Sequence, residues 1–425
     1  MKIENNIKFE PVANANDFIG ISINDNQIIL KTPLCFRIED DERLLKKNII
    51  LFLKSISIAT KNYEHIKKNG NLVGEIWPID SYLWIIKDFI DNGFYYKREK
   101  TYSTNNGKIE WKKTLKKMPI YSNENIIYKD IVTSRMTPTN DEISDIYKFC
   151  LSKAIDRIGW LFSYNFNIPV QQRKSIKEMI ILIRKEVSNT FDDIKKQRFE
   201  HMLAILSNIN SIGMASKNST YGIKNYYYVF ERMVDSFFTG INKKELSKYN
   251  PTGTWHLVKN KKLSSSELRP DTIVHKMRDG KQYTYILDAK MYKYGGLELL
   301  DKQIDALPET SSIQKQITYG DEVNKIDKYV RNAFIMPYNK ELNRFKYNHD
   351  AIILDDQRNF AYIGFATSSW RDNSKEYDYV FSFLIDFNYL LNMYKNPKEN
   401  DISLIFDEIE NKLKKYAFFK NFVAF

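Results

Sequence analysis

Cysteine is nearly absent from the 425 residues. Cys35 and Cys150 stand alone and far apart, so a Cys-rich zinc site is excluded and two buried, reduced thiols are expected. Gly and Pro are scarce, at 15 and 11, against 6 Trp, 28 Tyr and 26 Phe. That balance excludes a mostly disordered chain. No apolar run approaches the roughly 18–20 residues of a membrane span. The opening MKIENNIKFEPV is broken by Glu4 and Lys8 and has no signal-peptide core, which predicts a soluble, unexported, cytoplasmic protein. No GxxxxGK[ST] occurs: Gly107-Lys108 precedes Ile109, and Gly280-Lys281 precedes Gln282. A P-loop for ATP or GTP is therefore missing, as is a dinucleotide-binding GxGxxG. The five histidines, His65, His201, His256, His275 and His349, form no HExxH or paired zinc motif, which argues against a metal held by imidazole.

What is present is core-forming and basic. Hydrophobic residues make up 43%, and the length suits two or three domains of about 100–200 residues. Lys and Arg exceed Asp and Glu by 65 to 53. The surplus favours a polyanionic partner, although an AT-rich genome also enriches Lys, Asn and Ile. The pattern divides into a small β-rich region (1–75), an α+β and helical region (76–215) and a third region (216–425). In the first, strands from Phe18 to Ile21 and Gln27 to Ile38 precede a helix from about Asp40 to Asn62. In the second, Asp80 is placed to cap a helix that Gly93 stops. A β-rich stretch follows to about Tyr128, then two long helices over 140–163 and 172–210. In the third, YYYVFERMVDSFF predicts a helix. Strands are expected near 254–259, 269–277, 282–290, 331–337, 351–355 and 360–366, with a helix around 297–320. The apolar stripe of the tail, Ile402 to Tyr416, suits packing on its own domain better than docking a partner helix.

Chemistry concentrates in LRPDTIVHKMRDGKQYTYILDAKMYKYGG, residues 268–296. Asp279-Gly280 between two β-favouring runs predicts a two-residue hairpin. Paired positions then sum to 559, so Asp271 lies opposite Asp288. Cross-strand Cβ atoms are about 4.5–5.5 Å apart, close enough for two carboxylates to share one divalent cation. Lys290, two residues beyond Asp288, projects from the same face. Oxygen ligands suit Mg²⁺, and a nearby amine can orient or deprotonate water. The set fits phosphodiester hydrolysis.

With Pro270-Asp271 and Asp288-Ala289-Lys290 as signature, the passage resembles the PD-(D/E)XK nuclease core. Within that superfamily the chain is similar to LlaJI-type and McrC-like restriction nuclease subunits. IWPIDSYLWIIKDF (76–89), GKIEWKKTL (107–115), YVFERMVDSFF (228–238) and NAFIMPYN (332–339) support the match. The resemblance implies an α/β nuclease core, a mixed sheet flanked by helices, behind an α+β N-terminal region. It implies Mg²⁺-dependent cleavage of double-stranded DNA in a restriction system, beside a separate McrB-like AAA+ NTPase. It implies metal binding by Asp271 and Asp288, a supporting contact from Glu231 and water activation by Lys290. Relatives carry a following helix with Gln and Tyr four residues apart. Here neither Gln314 nor Gln316 stands four before Tyr319, which leaves the roles of Gln314 and Tyr319 open. Two rivals remain: a self-contained endonuclease with its own sequence recognition, and a non-cutting DNA-binding activator of an NTPase.

Residues 95–118 hold eight Lys/Arg against Glu99 and Glu110, with Tyr95, Tyr96, Tyr102 and Trp111 interleaved. Lys97, Arg98, Lys112, Lys113, Lys116 and Lys117 are candidate nucleic-acid contacts. A solvated hairpin and an acidic protein partner are the alternatives.

Overall fold

The computed structural model describes residues 7–423 apart from 25–26, 63–71, 75–76, 105, 123–124, 140–141, 163–167, 169, 171–173, 213–218, 259–260, 300–302 and 348. His65 lies outside the described residues. The chain forms two units, Trp77–Ser216 and Asn6–Ile76 with Lys217–Phe425.

Alternating apolar residues make the strands β1 (Ile7–Val12), β2 (Ile19–Asn24) and β3 (Gln27–Pro33). The amphipathic helix α1 (Glu42–Asn62) and the short β4 (Leu72–Gly74) follow. The sheet order is β1-β3-β2-β10-β4, where β10 (Ser219–Ile223) arrives from far along the chain. Residues 6–76 therefore build their sheet with the C-terminal half of the protein. Tyr221 at its centre is fully buried and donates its hydroxyl to Leu53 O of α1 at 3.2 Å.

The other unit opens with α2 (Ile79–Asn92). Pro78 occupies its N-cap, so Asp80 lies in the first turn rather than capping; Gly93 ends it at φ 73°. The strands β5 (Lys97–Ser103), β6 (Lys108–Ile109) and β9 (Thr133–Thr139) form one small sheet. The helix α3 (Trp111–Thr114) and a hairpin of β7 (Ile120–Ser122) with β8 (Asn125–Ile127) lie between them in sequence. Then come α4 (Glu142–Ile158), α5 (Ile176–Asn189) and α6 (Asp193–Ile212). The single helix expected over 172–210 is thus two. Ser175 and Glu178 close a capping box at the start of α5, and Asp192 accepts the Lys195 N–H to begin α6 afresh. Asp88 and Arg198 form a buried pair linking α2 to α6, with both guanidinium contacts at 2.8 Å.

After β10 the chain forms α7 (Tyr227–Phe237), α8 (Lys243–Leu246), a ribbon of β11 (Thr254–Leu257) and β12 (Lys261–Ser264), then β13 (Thr272–Arg278) and β14 (Lys281–Ala289). The helix α9 (Thr310–Val323) starts after Pro308, later than the expected 297. Proline disfavours helical geometry at the residue before it, which ends the preceding turn there. There follow β15 (Tyr329–Tyr338), α10 (Asn343–Lys346), β16 (Ile352–Ile353), β17 (Phe360–Ala366), β18 (Val380–Asp386), α11 (Phe387–Met393) and α12 (Glu399–Val423). A six-stranded mixed sheet runs β13-β14-β15-β18-β17-β16. The pairs β14–β15 and β15–β18 are parallel and the rest antiparallel. β15 and β18 are buried almost throughout, as central strands covered on both faces must be. Helices supply the cover. Ile286 and Tyr319 of α9 belong to one core cluster, while Tyr285, on the opposite face of β14, stacks on Phe406 of α12 at 4.1 Å. Ile402, Ile405, Phe406 and Ile409 are buried, and Glu410 takes the Arg331 guanidinium at 2.8 and 2.9 Å. The tail thus packs on its own unit. No described helix is long and apolar enough to cross a membrane.

Candidate active site

The hairpin turn has Asp279 at φ 48° and Gly280 at φ 72°. These left-handed values suit a tight two-residue turn, and glycine adopts them without a Cβ penalty. Pairing runs from Arg278↔Lys281 to Thr272↔Leu287, the register expected from Asp279-Gly280. Asp271 stands one residue past the last pair, and its Oδ2 accepts the Ala289 N–H at 2.9 Å. The Lys290 N–H continues onto Ile335 O of β15 at 2.9 Å. The end of β14 is therefore held from both sides. Lys290 Nζ meets Asp288 Oδ2 at 2.6 Å. The structure thus brings Asp271, Asp288 and Lys290 together at one end of the hairpin.

Glu231 on α7 joins them electrostatically. Burial pushes its carboxyl up to about 7, Lys290 pulls down, and Asp288 pushes up again. Asp271 is raised well above the ordinary carboxylate range, first by burial and then by Asp288 and Glu231. For Lys290, burial opposes the charged form, but Asp288, Asp271 and Glu231 outweigh it and raise the amine. Three carboxyl groups thus face Lys290, with Arg232 also acting on Glu231, and the acidic surplus is one that a divalent cation would neutralise. Among the described residues no group of three or more His, Cys, Asp or Glu side chains is placed to hold a metal ion. Mg²⁺ does not need such a group: it keeps waters and takes one or two carboxylates plus phosphate oxygens. The donors present fit that habit.

Two supports escape a reading of the motif alone. Thr272 donates Oγ1–H to Asp235 Oδ1 at 3.1 Å. Asp235 lies one helical turn after Glu231, so this bond anchors α7 beside the residue that follows Asp271. The second support is Gln316, fully buried, which donates Nε2–H to Ile286 O and Ala333 O, each at 3.1 Å. Gln314 is exposed. Tyr319 donates its hydroxyl to Arg269 O at 3.0 Å. Burial, then Asp288, Asp271 and Glu231, raise that hydroxyl's pKa. His275 packs on the strand, its Nδ1 3.0 Å from Thr284 Oγ1.

The basic candidates in the other unit differ in what they touch. Lys97 pairs with Glu186 at 3.0 Å. Lys113 lies over the Tyr102 ring, 3.1 Å from its centroid. Arg98, Lys112, Lys116 and Lys117 are exposed, beside a Trp111 that is 58% exposed.

Residues 18–361 match the family model described as LlaJI restriction endonuclease. No curated protein matches. A refined half-complex from a tetradecameric assembly of Thermococcus gammatolerans McrB AAA+ hexamers with bound McrC is 12% identical. It covers 93% of this chain and 82% of its own, with a TM-score of 0.39. The cryo-EM structure of the Thermococcus gammatolerans McrBC complex is 11% identical, covers 53% of this chain and 68% of its own, and has a TM-score of 0.23.

Proposed function

The chain belongs to the LlaJI restriction endonuclease family, and from that premise we propose that it is the nuclease subunit of a restriction system, cutting double-stranded DNA with Mg²⁺. The observation that carries this reading is the Asp271–Ala289 hydrogen bond beside the Asp288–Lys290 pair. In this reading residues 216–425 are a PD-(D/E)XK-type nuclease domain acting in the cytoplasm. Residues 76–215 dock a partner or DNA, with Arg98, Lys112, Lys113, Lys116 and Lys117 as phosphate contacts and Lys97 held by Glu186.

Asp271 and Asp288 would hold the cation, with Glu231 in support. When bound, Mg²⁺ supplies positive charge against the phosphate and makes a nearby water more acidic. Lys290 Nζ, fixed by Asp288, orients the attacking water and faces charge developing on the phosphate oxygens. The water oxygen bonds to phosphorus and its proton leaves to solvent, while the bond from phosphorus to the leaving sugar oxygen breaks and that oxygen takes a proton from solvent. Asp271, locked to the Ala289 N–H, needs no reorganisation during the reaction.

A P-loop motif is missing from the sequence, so nucleotide hydrolysis is assigned to a McrB-like AAA+ partner. The test compares plasmid cleavage by the purified full chain alone and with that NTPase, with and without nucleotide, in Mg²⁺ and in chelator. Expected are no ATP or GTP hydrolysis by the chain alone, slow Mg²⁺-dependent cutting, and stimulation by the partner with nucleotide. Cutting in chelator overturns the metal role. Efficient site-specific cutting by the chain alone, indifferent to nucleotide, replaces the two-subunit reading with a self-contained endonuclease.

A further inference from the structure

The ribbon β11–β12 projects from the nuclease core, and every residue of its two strands is exposed. Its register pairs Trp255 with Leu263 and Leu257 with Lys261; Thr254 with Ser264 and His256 with Lys262 alternate onto the other face. Trp255 is 66% exposed, Leu263 44% and Leu257 42%, and Val258 at the turn is 93% exposed. Folding gives no reason to hold a tryptophan in water on a two-stranded ribbon, an element only marginally stable by itself.

The base of the ribbon is fastened. Ser265 N–H bonds Gly253 O at 2.8 Å, Leu268 N–H bonds Pro251 O at 3.0 Å, and Asn250 Nδ2 donates to Glu267 at 2.8 Å. Asp271 follows Leu268 by three residues, a reach of about 10 Å at most. The ribbon is thus tethered next to the carboxylate cluster. Its charge is one-sided: residues 243–269 carry seven Lys/Arg against Glu245 and Glu267, and Glu267 is engaged by Asn250.

We propose that this ribbon is a DNA-docking element of the nuclease, entering the major groove beside the phosphodiester presented to Asp271 and Asp288. The proposal rests on the nuclease reading above. The major groove, about 12 Å wide, admits a two-stranded β-ribbon. The basic excess is complementary to a duplex, and a duplex must lie beside Asp271 if that site cuts. Lys261 and Lys262 contact phosphates on the groove's rim, and Trp255 and Leu257 reach base edges.

The test uses the full chain and a fluorescent duplex in chelator, with anisotropy followed across a salt series and dimethyl sulfate probing of guanine N7 in the major groove, and, in Mg²⁺, plasmid cleavage with and without the McrB-like NTPase. Lys261→Ala/Lys262→Ala should weaken binding and flatten the log–log salt slope by about 1.8, at roughly 0.9 for each phosphate no longer neutralised. Trp255→Ala should weaken binding and remove N7 protection while leaving the slope unchanged. Thermal melting should not change, since these side chains are exposed. If the wild type binds and cuts DNA and both variants keep its affinity and slope, the ribbon assignment fails and the nuclease reading stands. If the wild type neither binds nor cuts DNA, both fail. Wild-type binding that leaves guanine N7 unprotected overturns the groove assignment. Unchanged DNA binding with loss of stimulation by the NTPase gives the ribbon a protein partner instead.

Discussion

Asp271 accepts the backbone N–H of Ala289 at 2.9 Å, which pins the carboxylate before one strand to the residue between Asp288 and Lys290 on the other. The separation of the two carboxylates is therefore set by backbone pairing and a two-residue turn, not by flexible side chains. Like charges are held together, with Lys290 as the counter-charge on Asp288.

Asp271→Asn tests that arrangement. Asparagine keeps an oxygen for the Ala289 N–H but removes one negative charge from a crowded acidic cluster. Cleavage in Mg²⁺ should be lost, while the melting temperature in chelator should equal or exceed that of the wild type. A melting temperature several degrees lower would show that the carboxylate is needed for folding and undo the argument.

Lys290→Ala should reduce cleavage by about 10²–10⁴-fold, the range for a positioned group acting on the reacting water. Lys290→Arg keeps the charge but replaces a compact ammonium with a planar fork, so it should not restore full rate. DNA affinity should change little in either variant. Plasmid nicking with parallel anisotropy separates the two effects, and a wild-type rate in Lys290→Ala would remove the residue from the site.

Much of the site is legible in the sequence because hairpin register is a local property. Asp279-Gly280 sets the pairing, and the pairing sets which side chains meet. The partners of that hairpin are not legible in the same way. β18 lies at the centre of the main sheet, yet Val380–Asp386 carries no strand signal: it is an apolar run with no alternation, buried on both faces. Nor does sequence show that residues 6–76 close their sheet with β10, since no local pattern specifies a pairing so remote. The break between α5 and α6 is visible in principle, because Asp192 before a helical run is a start signal. The support from Asp235 to Thr272 depends on two elements meeting in space, which spacing alone does not reveal.

Replacing Lys112, Lys113, Lys116 and Lys117 by alanine should weaken DNA binding and flatten its salt dependence by about 0.9 for each phosphate these lysines neutralise. Lys97 already neutralises Glu186, so Lys97→Ala should leave the slope near the wild-type value. A salt titration of both variants checks this. Equal slopes for wild type and the fourfold variant would reassign these lysines to solubility or protein contact.

The buried pair in the Trp77–Ser216 unit predicts acid sensitivity. Asp88 and Arg198 expose only 5% and 9% of their side chains. Tyr147 and Asn92 also donate to the Asp88 carboxylate, each at 3.1 Å. Burial works to raise the Asp88 pKa, but the hydrogen bonds and charge of Arg198, then Tyr147 and Asn92, outweigh it and hold the group below its ordinary value of 3.8. A carboxyl whose pKa is lower folded than unfolded stabilises the fold above the unfolded value, and that stability is lost as pH falls through the folded one. The wild type should therefore lose melting temperature as pH drops below about 4, and Asp88→Asn should show a shallower decline because it binds no proton there. Arg198→Ala leaves a carboxylate buried without its partner, at a cost of about 3–5 kcal/mol near neutral pH. Thermal melts of the three proteins between pH 7 and 3, followed by near-ultraviolet circular dichroism, decide the matter. Parallel pH profiles for wild type and Asp88→Asn would mean that some other group carries the acid response.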